Sequence, residues 1–176
     1  MHPHPDIEPP LQSFIRGIPD FPLEGILFHD IGTLLKEPAA FHRAINAMAA
    51  VTAKYEVDAI VALESRGFIF GSTLAYAMRL PLVLVRKEGK LPGSLLRQEY
   101  NKEYGADIFE MQDDVLAPGA NVAIVDDILA TGGSVKAVAK LLDQAKVQVS
   151  VVVCLAELSE FNERGLSIPV ESLIVF

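Results

Sequence analysis

The sequence predicts an α/β fold, a mostly parallel central sheet flanked by helices, and three features carry that expectation. Short apolar runs of strand length recur along the chain: VDAIVAL (57–63), PLVLVR (81–86), NVAIVD (121–126) and VQVSVVVCLA (147–156). Segments of helical period stand between them, so successive strands need crossover connections and run parallel. The runs are apolar almost throughout instead of alternating, as strands covered on both faces are.

The elements follow in order. The first ten residues hold four prolines and two histidines, a composition that reads as a flexible leader over 1–10. His2 and His4 have no third ligand nearby in sequence, which leaves a metal reading weak. Leu11 to Ile18 is a candidate short amphipathic helix stopped by Pro19. From Pro38 a helix runs through FHRAINAMAAVTAKY, with Phe41, Ile45, Met48 and Tyr55 on one face and a proline suited to its first turn. VDAIVAL is the first buried strand, RGFIFGSTLAYAMRL a helix ended before Pro81, PLVLVR a second buried strand and NVAIVD a third. A helix over Ser134 to Gln144, a fourth strand VQVSVVVCLA and a fifth, ESLIVF (171–176), complete the alternation. With no internal repeat and no linker, 11–176 reads as one domain. Lys87 to Gly105, KEGKLPGSLLRQEYNKEYG, breaks the pattern, being polar and without a clean period. Such a long connection is a lid, a binding loop or an ordinary surface loop.

Fifteen basic and twenty-three acidic side chains leave a formal net charge of −8. That balance argues against nucleic-acid binding, where phosphate neutralisation carries much of the affinity. A small anion is still accommodated by a locally positive pocket. Cys154, the only cysteine, lies in the apolar run VSVVVCLA and reads as a buried thiol. It can form neither an internal disulfide nor a thiolate zinc site. MHPHPDIEPP lacks the apolar core of a secretory signal, and no apolar stretch approaches the ~20 residues of a membrane span. The expectation is a cytoplasmic protein with no membrane partner.

In a parallel sheet, ligands bind beyond the carboxyl ends of the strands. Three connections there carry unusual residues: Glu64-Ser65-Arg66-Gly67, Arg86-Lys87, and Asp126-Asp127 through Ser134. In the last, an apolar strand ends on two aspartates, followed by Ile128-Leu129-Ala130 and then by Thr131-Gly132-Gly133-Ser134 opening a helix. The glycines let backbone N–H groups close on a ligand, and the helix start adds unpaired donors and partial positive charge. Thr131 and Ser134 add hydroxyls, so the set suits a phosphate. Adjacent aspartates repel and need compensation. A vicinal ribose diol supplies hydroxyl donors, and magnesium near that diol supplies the remaining charge. The competing reading is a tight turn before a helix, with Asp127 as a cap. No Gly-Lys-Ser/Thr follows, so this is not the P-loop pattern, and the spaced glycines of the dinucleotide fingerprint are missing.

VAIVDDILATGGS, Val122 to Ser134, closely resembles the phosphoribosyl-pyrophosphate motif of the type I phosphoribosyltransferases. GILFHDIGTLLKEP (25–38), ALESRGFIFG (62–71), VRKEGKLPG (85–93) and EYNKEYG (99–105) are similar to the adenine phosphoribosyltransferases of that family. The likeness runs from about Phe14 to Phe176 in the family's order and spacing. It implies a small N-terminal hood over about 11–37, a long flexible lid loop over about 87–107, and a homodimer. The implied reaction is purine salvage by a glycosyltransferase: adenine and phosphoribosyl pyrophosphate give AMP and pyrophosphate. Mg2+ is implied as held mainly through the substrate near Asp126 and Asp127, with no direct protein site.

Residue by residue, the resemblance gives Ala130, Thr131, Gly132, Gly133 and Ser134 to the 5′-phosphate, and Asp126 and Asp127 to the ribose hydroxyls. Glu64, Ser65 and Arg66 would meet pyrophosphate, together with Arg86, Lys87 and Lys90. Leu27 would present backbone groups to adenine's edge, Phe28 would stack on one face, and Ile128 would pack on the other. Hydrogen bonding to the exocyclic amine is how such a site refuses 6-oxo purines. Glu103 is the implied proton-handling residue, within a lid that includes Tyr104 and shields an oxocarbenium-like transition state from water. The residues themselves leave plainer alternatives open: core packing for Phe28, a surface position for Arg66, a solvated cluster for Arg86, Lys87 and Lys90, and solvated loop charges for Glu99 and Glu103.

Two departures stand out. His29 occupies a place where many relatives have arginine, and Asp143-Gln144-Ala145-Lys146 lacks the glycine common at that turn. Two rival functions share the motif: a phosphoribosyltransferase for a 6-oxopurine such as xanthine or hypoxanthine, and a non-catalytic regulator that senses phosphoribosyl pyrophosphate.

Overall fold

Arg16–Pro19 (β1) and Leu27–Asp30 (β2) pair antiparallel, with Ile18 opposite Phe28 and Arg16 opposite Asp30. The computed structural model describes residues 9–101, 106–161 and 165–176. The chain forms two units, Met1–Ala44 and Ile45–Phe176. Most of the leader, 1–8, lies outside the described residues. Pro9 lies within them and accepts a 3.0 Å hydrogen bond from Arg43 Nη1.

The helix expected over Leu11–Ile18 is corrected to a single 3-10 turn, Leu11–Phe14, followed by β1. Two turns are too few for a helix to offset its nucleation cost unaided. The ribbon gives Arg16–Pro19 a partner instead, fastened by a 2.6 Å ion pair from Arg16 Nη2 to Asp30 Oδ2. Gly32–Leu35 (α1) and Pro38–Thr52 (α2) follow. Ala40, Ala44, Met48 and Thr52 are buried at four-residue spacing, the stripe of an amphipathic helix. Tyr55 falls beyond the helix, and its hydroxyl donates to Glu171 at 3.0 Å.

The second unit holds Ala59–Leu63 (β3), Gly67–Met78 (α3), Leu82–Lys87 (β4), Leu95–Asn101 (β5) and Ala106–Gln112 (β6). Asn121–Leu129 (β7), Gly133–Gln144 (α4), Gln148–Glu157 (β8) and Val170–Val175 (β9) complete it. The seven strands lie in the order β5-β6-β4-β3-β7-β8-β9. The run from β4 to β9 is parallel, and β6 and β5 add antiparallel at one edge. The fold is the expected α/β architecture. Val61, Ile124, Val152, Val138 and Leu141 belong to its main apolar cluster, between the sheet and α4.

Three expectations are corrected. The segment 87–107 is not one loop: 95–101 and 106–112 form a hairpin that continues the sheet. Its tip, 102–105, lies outside the described residues. The hairpin is held by β4 and by α4, whose Gln144 Nε2 donates to Arg97 O at 3.2 Å. β4 is not buried on both faces: Val83 and Val85 point into the core, while Leu82 and Leu84 are about a third exposed. Finally, β7 does not stop at Asp126, because β8 stays alongside to pair Ile128 with Ala156 and Leu129 with Glu157.

Glycine sets the closest approach between helix and sheet. A Cβ on Gly71 would lie 2.5 Å from the Ala62 Cβ, so only hydrogen fits between α3 and β3. The end of α4 lacks a glycine, and Lys146 takes up the left-handed conformation with φ 58°. Its neighbour Val147 donates to Leu142 O at 3.0 Å, closing the turn as glycine would.

Candidate active site

β3 is the switch point of the sheet: the chain leaves it for β4 on one side and returns for β7 on the other. Loops following neighbouring parallel strands on both sides of such a point form a crevice. The three segments singled out in the sequence, 64–67, 86–87 and 126–134, are these loops or the strand ends that lead into them.

The third loop begins inside β7. Asp127 is almost wholly buried, and its Oδ2 lies 2.7 Å from Arg66 Nε. That oxygen has no aligned hydrogen-bond donor, so charge attraction alone holds the contact. Asp126 Oδ1 accepts the Asp127 amide at 2.9 Å. Burial and the Asp127 carboxylate beside it push the Asp126 carboxyl well above the usual range, only partly countered by the Asp127 amide and by Arg66. The pair is therefore short of positive charge. Cys154 sits opposite Asp126 on β8, and burial with the nearby carboxylates raises its thiol pKa, which makes it inert.

After Leu129 the chain turns through Ala130 and Thr131 into α4. Gly132 caps that helix with φ 76°, a left-handed conformation that favours glycine. No side chain caps the helix, and its first turn holds no acidic residue. Thr131 Oγ1 accepts only a long 3.4 Å contact from the Gly133 amide. A helix start with this composition attracts an anion through its free donors and its dipole.

The first loop leans on the third. A Cβ on Gly67 would lie 2.9 Å from both Asp126 Oδ1 and Val125 O, so glycine lets the start of α3 sit on the end of β7. Arg66 is the residue before it. The Glu64–Ser65 peptide is cis.

Glu64 collects the basic residues of the second loop. Its carboxylate accepts the Lys87 amide at 2.9 Å, lies 3.2 Å from Lys90 Nζ and lies 3.4 Å from Arg86 Nε. Burial raises its pKa, but the Lys87 amide, Lys90 and Arg86 outweigh that and leave it lowered. Glu64 thus stays ionised at neutral pH. Arg86 also donates to Lys90 O at 3.2 Å and lies over the Phe68 ring. The Lys87 side chain goes elsewhere: its ammonium is 3.4 Å from Asp107 on β6, beside a cavity of about 350 Å3 lined also by Glu88, Glu99 and Ile108. Lys87 therefore joins the cluster through its amide and not its charge.

In the first unit, Leu27 is half exposed and Phe28 half-buried on β2, where the Phe28 ring meets Phe21 edge-on at 5.1 Å. In the second, Ile128 is half-buried on β7. Glu103 and Tyr104 lie outside the described residues. Sequence reasoning missed Glu110, a fully buried carboxylate on β6, because nothing in ADIFEMQ marks a charge as buried. It also missed Asp107 and the close approach at Gly67. Among the described residues no group of three or more His, Cys, Asp or Glu is arranged to hold a metal ion. Nor is any helix among them long and apolar enough to cross a membrane.

An uncapped helix start after paired aspartates, at the switch point of a parallel sheet, fits the phosphoribosyltransferase class, and residues 30–164 match the family model of the phosphoribosyl transferase domain. The adenine phosphoribosyltransferase of Rhodospirillum rubrum is 43% identical over 167 residues, covering 94% of this chain and 98% of its own length. That of Roseiflexus castenholzii is 48% identical over 154 residues, covering 88% and 90%. Among solved structures, the adenine phosphoribosyltransferase of Thermoanaerobacter pseudethanolicus matches with a TM-score of 0.90 at 42% identity, covering 94% of this chain and 98% of its own. The Saccharomyces cerevisiae enzyme, complexed with an iminoaltritol bisphosphate and adenine, matches at 0.87 and 42%, covering 93% and 96%. The chain belongs to the adenine phosphoribosyltransferases. Its reaction joins adenine to the ribose 5-phosphate of phosphoribosyl pyrophosphate, which sets aside both the 6-oxopurine reading and the non-catalytic sensor.

Proposed function

We propose that the three loops divide the sugar donor between them. The observation that carries this reading is the uncapped start of α4 directly behind the charge-deficient Asp126–Asp127 pair. Ala130, Thr131, Gly132, Gly133 and Ser134 hold the 5′-phosphate through backbone amides and hydroxyls. Asp126 and Asp127 accept hydrogen bonds from the ribose hydroxyls. Glu64, Ser65 and Arg66 form the pyrophosphate loop, with Arg86, Lys87 and Lys90 as its basic neighbours. Arg86 and Lys90 exchange Glu64 for phosphate oxygens when the donor binds.

The family likeness assigns Leu27, Phe28 and Ile128 to adenine. The yeast relative's complex with adenine supports a purine base as the acceptor. A ring nitrogen of adenine forms a bond to ribose C1 as the C1–oxygen bond breaks, the electron pair leaves with pyrophosphate, and the nitrogen's proton passes to Glu103. Tyr104 belongs to the lid that keeps water from the cationic transition state.

Magnesium fits this site as a substrate-borne ion. Its place would be near Asp126 and Asp127, held mainly through oxygens of the substrate and water with no direct protein ligand. Bound with the donor, it would offset the charge of pyrophosphate and so favour its departure.

The chain's role is purine salvage in the cytoplasm, as a homodimer. Ile69 and Tyr76, seven residues apart on α3, and Leu82 and Leu84, on the α3-bearing face of β4, are exposed apolar groups that support a second copy as partner. Sedimentation should give twice the 19.1 kDa of one chain.

The deciding assay incubates the protein with phosphoribosyl pyrophosphate, magnesium and each of adenine, hypoxanthine, guanine and xanthine. AMP should form from adenine, with little nucleotide from the others; no AMP overturns the reading. Replacing Asp126 and Asp127 together by Asn should weaken donor binding, and unchanged donor affinity would remove their role on the diol.

A further inference from the structure

Glu110 is a carboxylate with none of its surface exposed, on a strand next to the basic turn. A buried ionised group costs several kcal/mol unless both oxygens are well partnered. Here each has one partner. Oε1 accepts from Arg97 Nε at 2.8 Å, and Oε2 accepts from the Gly89 amide at 2.9 Å. Gly89 is the centre of the turn that carries Lys87 and Lys90, and its φ of 78° makes that turn tight.

The turn is therefore gripped from both sides. β4, which leads into it, lies between β3 and β6. From β3, Glu64 reaches the Lys87 amide and the charges of Lys90 and Arg86. From β6, Glu110 reaches only backbone on the turn. The two grips differ once an anion arrives. Arg86 and Lys90 exchange Glu64 for phosphate oxygens, so Glu64's hold on those side chains lapses. The Glu110 carboxylate bonds neither side chain, although Glu110 and Arg86 are register partners across β6 and β4, and the cation it pairs with among the described residues, Arg97, lies on the far strand β5.

We propose that Glu110 is a positioning residue for the pyrophosphate half of the site, fixing the Lys87–Lys90 turn while substrate occupies its cations. The inference rests on the reading of that turn as a pyrophosphate site. Glu110→Gln keeps the shape and one acceptor but loses the charge. It should raise KM for phosphoribosyl pyrophosphate and the inhibition constant of pyrophosphate about tenfold, the size of one charge-assisted hydrogen bond. KM for adenine and kcat should stay within about twofold, a split that loss of folded protein cannot produce.

Lys90→Ala separates the two layers of the claim. If it raises KM for the donor while Glu110→Gln does not, the positioning role falls and the pyrophosphate reading stands. If Lys90→Ala leaves that KM unchanged, the pyrophosphate reading falls and takes the proposal with it. In the double variant the two effects should be strongly non-additive, since Glu110 acts through the turn; full additivity overturns the proposal. Should Glu110→Gln fail to fold, hydrogen exchange in the unaltered protein decides. The Gly89 amide should be protected both without ligand and with pyrophosphate and magnesium, and rapid exchange in either state overturns the proposal.

Discussion

Gly67→Ala tests the contact between the first and third loops. The new methyl would sit 2.9 Å from Asp126 Oδ1 and from Val125 O, and 3.3 Å from Asp126 Cα. Ordinary carbon–oxygen contact needs about half an ångström more, in a core packed at crystal-like density. Neither oxygen yields easily: Val125 O is main chain of a central strand, and Asp126 Oδ1 is held by the Asp127 amide at 2.9 Å. Two effects then compete. Alanine in place of a helical glycine gains at most about 1 kcal/mol, and less in the first turn. Overpacking costs about 1–3 kcal/mol. The cost wins, leaving a net loss of about 1–2 kcal/mol and a Tm about 2–8 °C lower for a chain of this size. Relief must come from the start of α3, which would carry Arg66 away from Asp127 and raise KM for phosphoribosyl pyrophosphate. Thermal melts of the ligand-free protein are the assay, with Gly133→Ala as comparator, since its methyl would meet nothing nearer than Thr131 Oγ1 at 3.6 Å. A Gly67→Ala protein that melts with or above wild type, or no lower than Gly133→Ala, refutes the reasoning.

Asp126→Asn should stabilise the protein while weakening donor binding. Burial and Asp127 raise the folded-state pKa, so stability is lost as pH rises from the unfolded value of about 3.9 through the folded one. The variant's gain in urea melts should accordingly grow as the pH rises above about 4; a gain independent of pH contradicts this. Lys146→Gly should raise Tm by about 2–4 °C, because it removes about 1 kcal/mol of left-handed strain at φ 58°; a lower Tm would mean that strain is absent. Glu103→Gln should lower kcat about a hundredfold or more, as loss of a proton acceptor does. Glu99→Gln, at an exposed position on β5, should change it little, and equal effects would remove Glu103 from the chemistry.

What was legible in the sequence followed from burial. VDAIVAL, NVAIVD and VQVSVVVCLA are apolar because helices or neighbouring strands cover both faces, so their period and position fixed the parallel core. β5 and β6 escaped because an edge hairpin has no such constraint. Its residues alternate weakly, Glu99 is exposed, Arg97 is exposed yet paired with buried Glu110, and its order comes from pairing with β4 and from Gln144 at the end of α4. Pairing partners distant in sequence leave no local signature. The ribbon at Arg16–Pro19 was lost in the same way, since its stability lies in β2.

The site divides along a similar line. Backbone chemistry could be read directly: Thr131-Gly132-Gly133-Ser134 announces a helix start with free amides, and the structure has Gly132 at φ 76° there. Charge chemistry could not, because a charged residue's role is set by what lies opposite it. Arg66 reads equally well as a surface residue until Asp127 is found 2.7 Å away, and Lys87 reads as a basic ligand until its ammonium is found at Asp107 and its amide at Glu64. In a chain with net charge −8, the basic side chains of these loops are already paired with carboxylates of the same loops. Glu64 and Asp127 hold these cations in place without ligand, and on the proposed reading an incoming anion must compete with them. Such pre-pairing would trade affinity for fixed position.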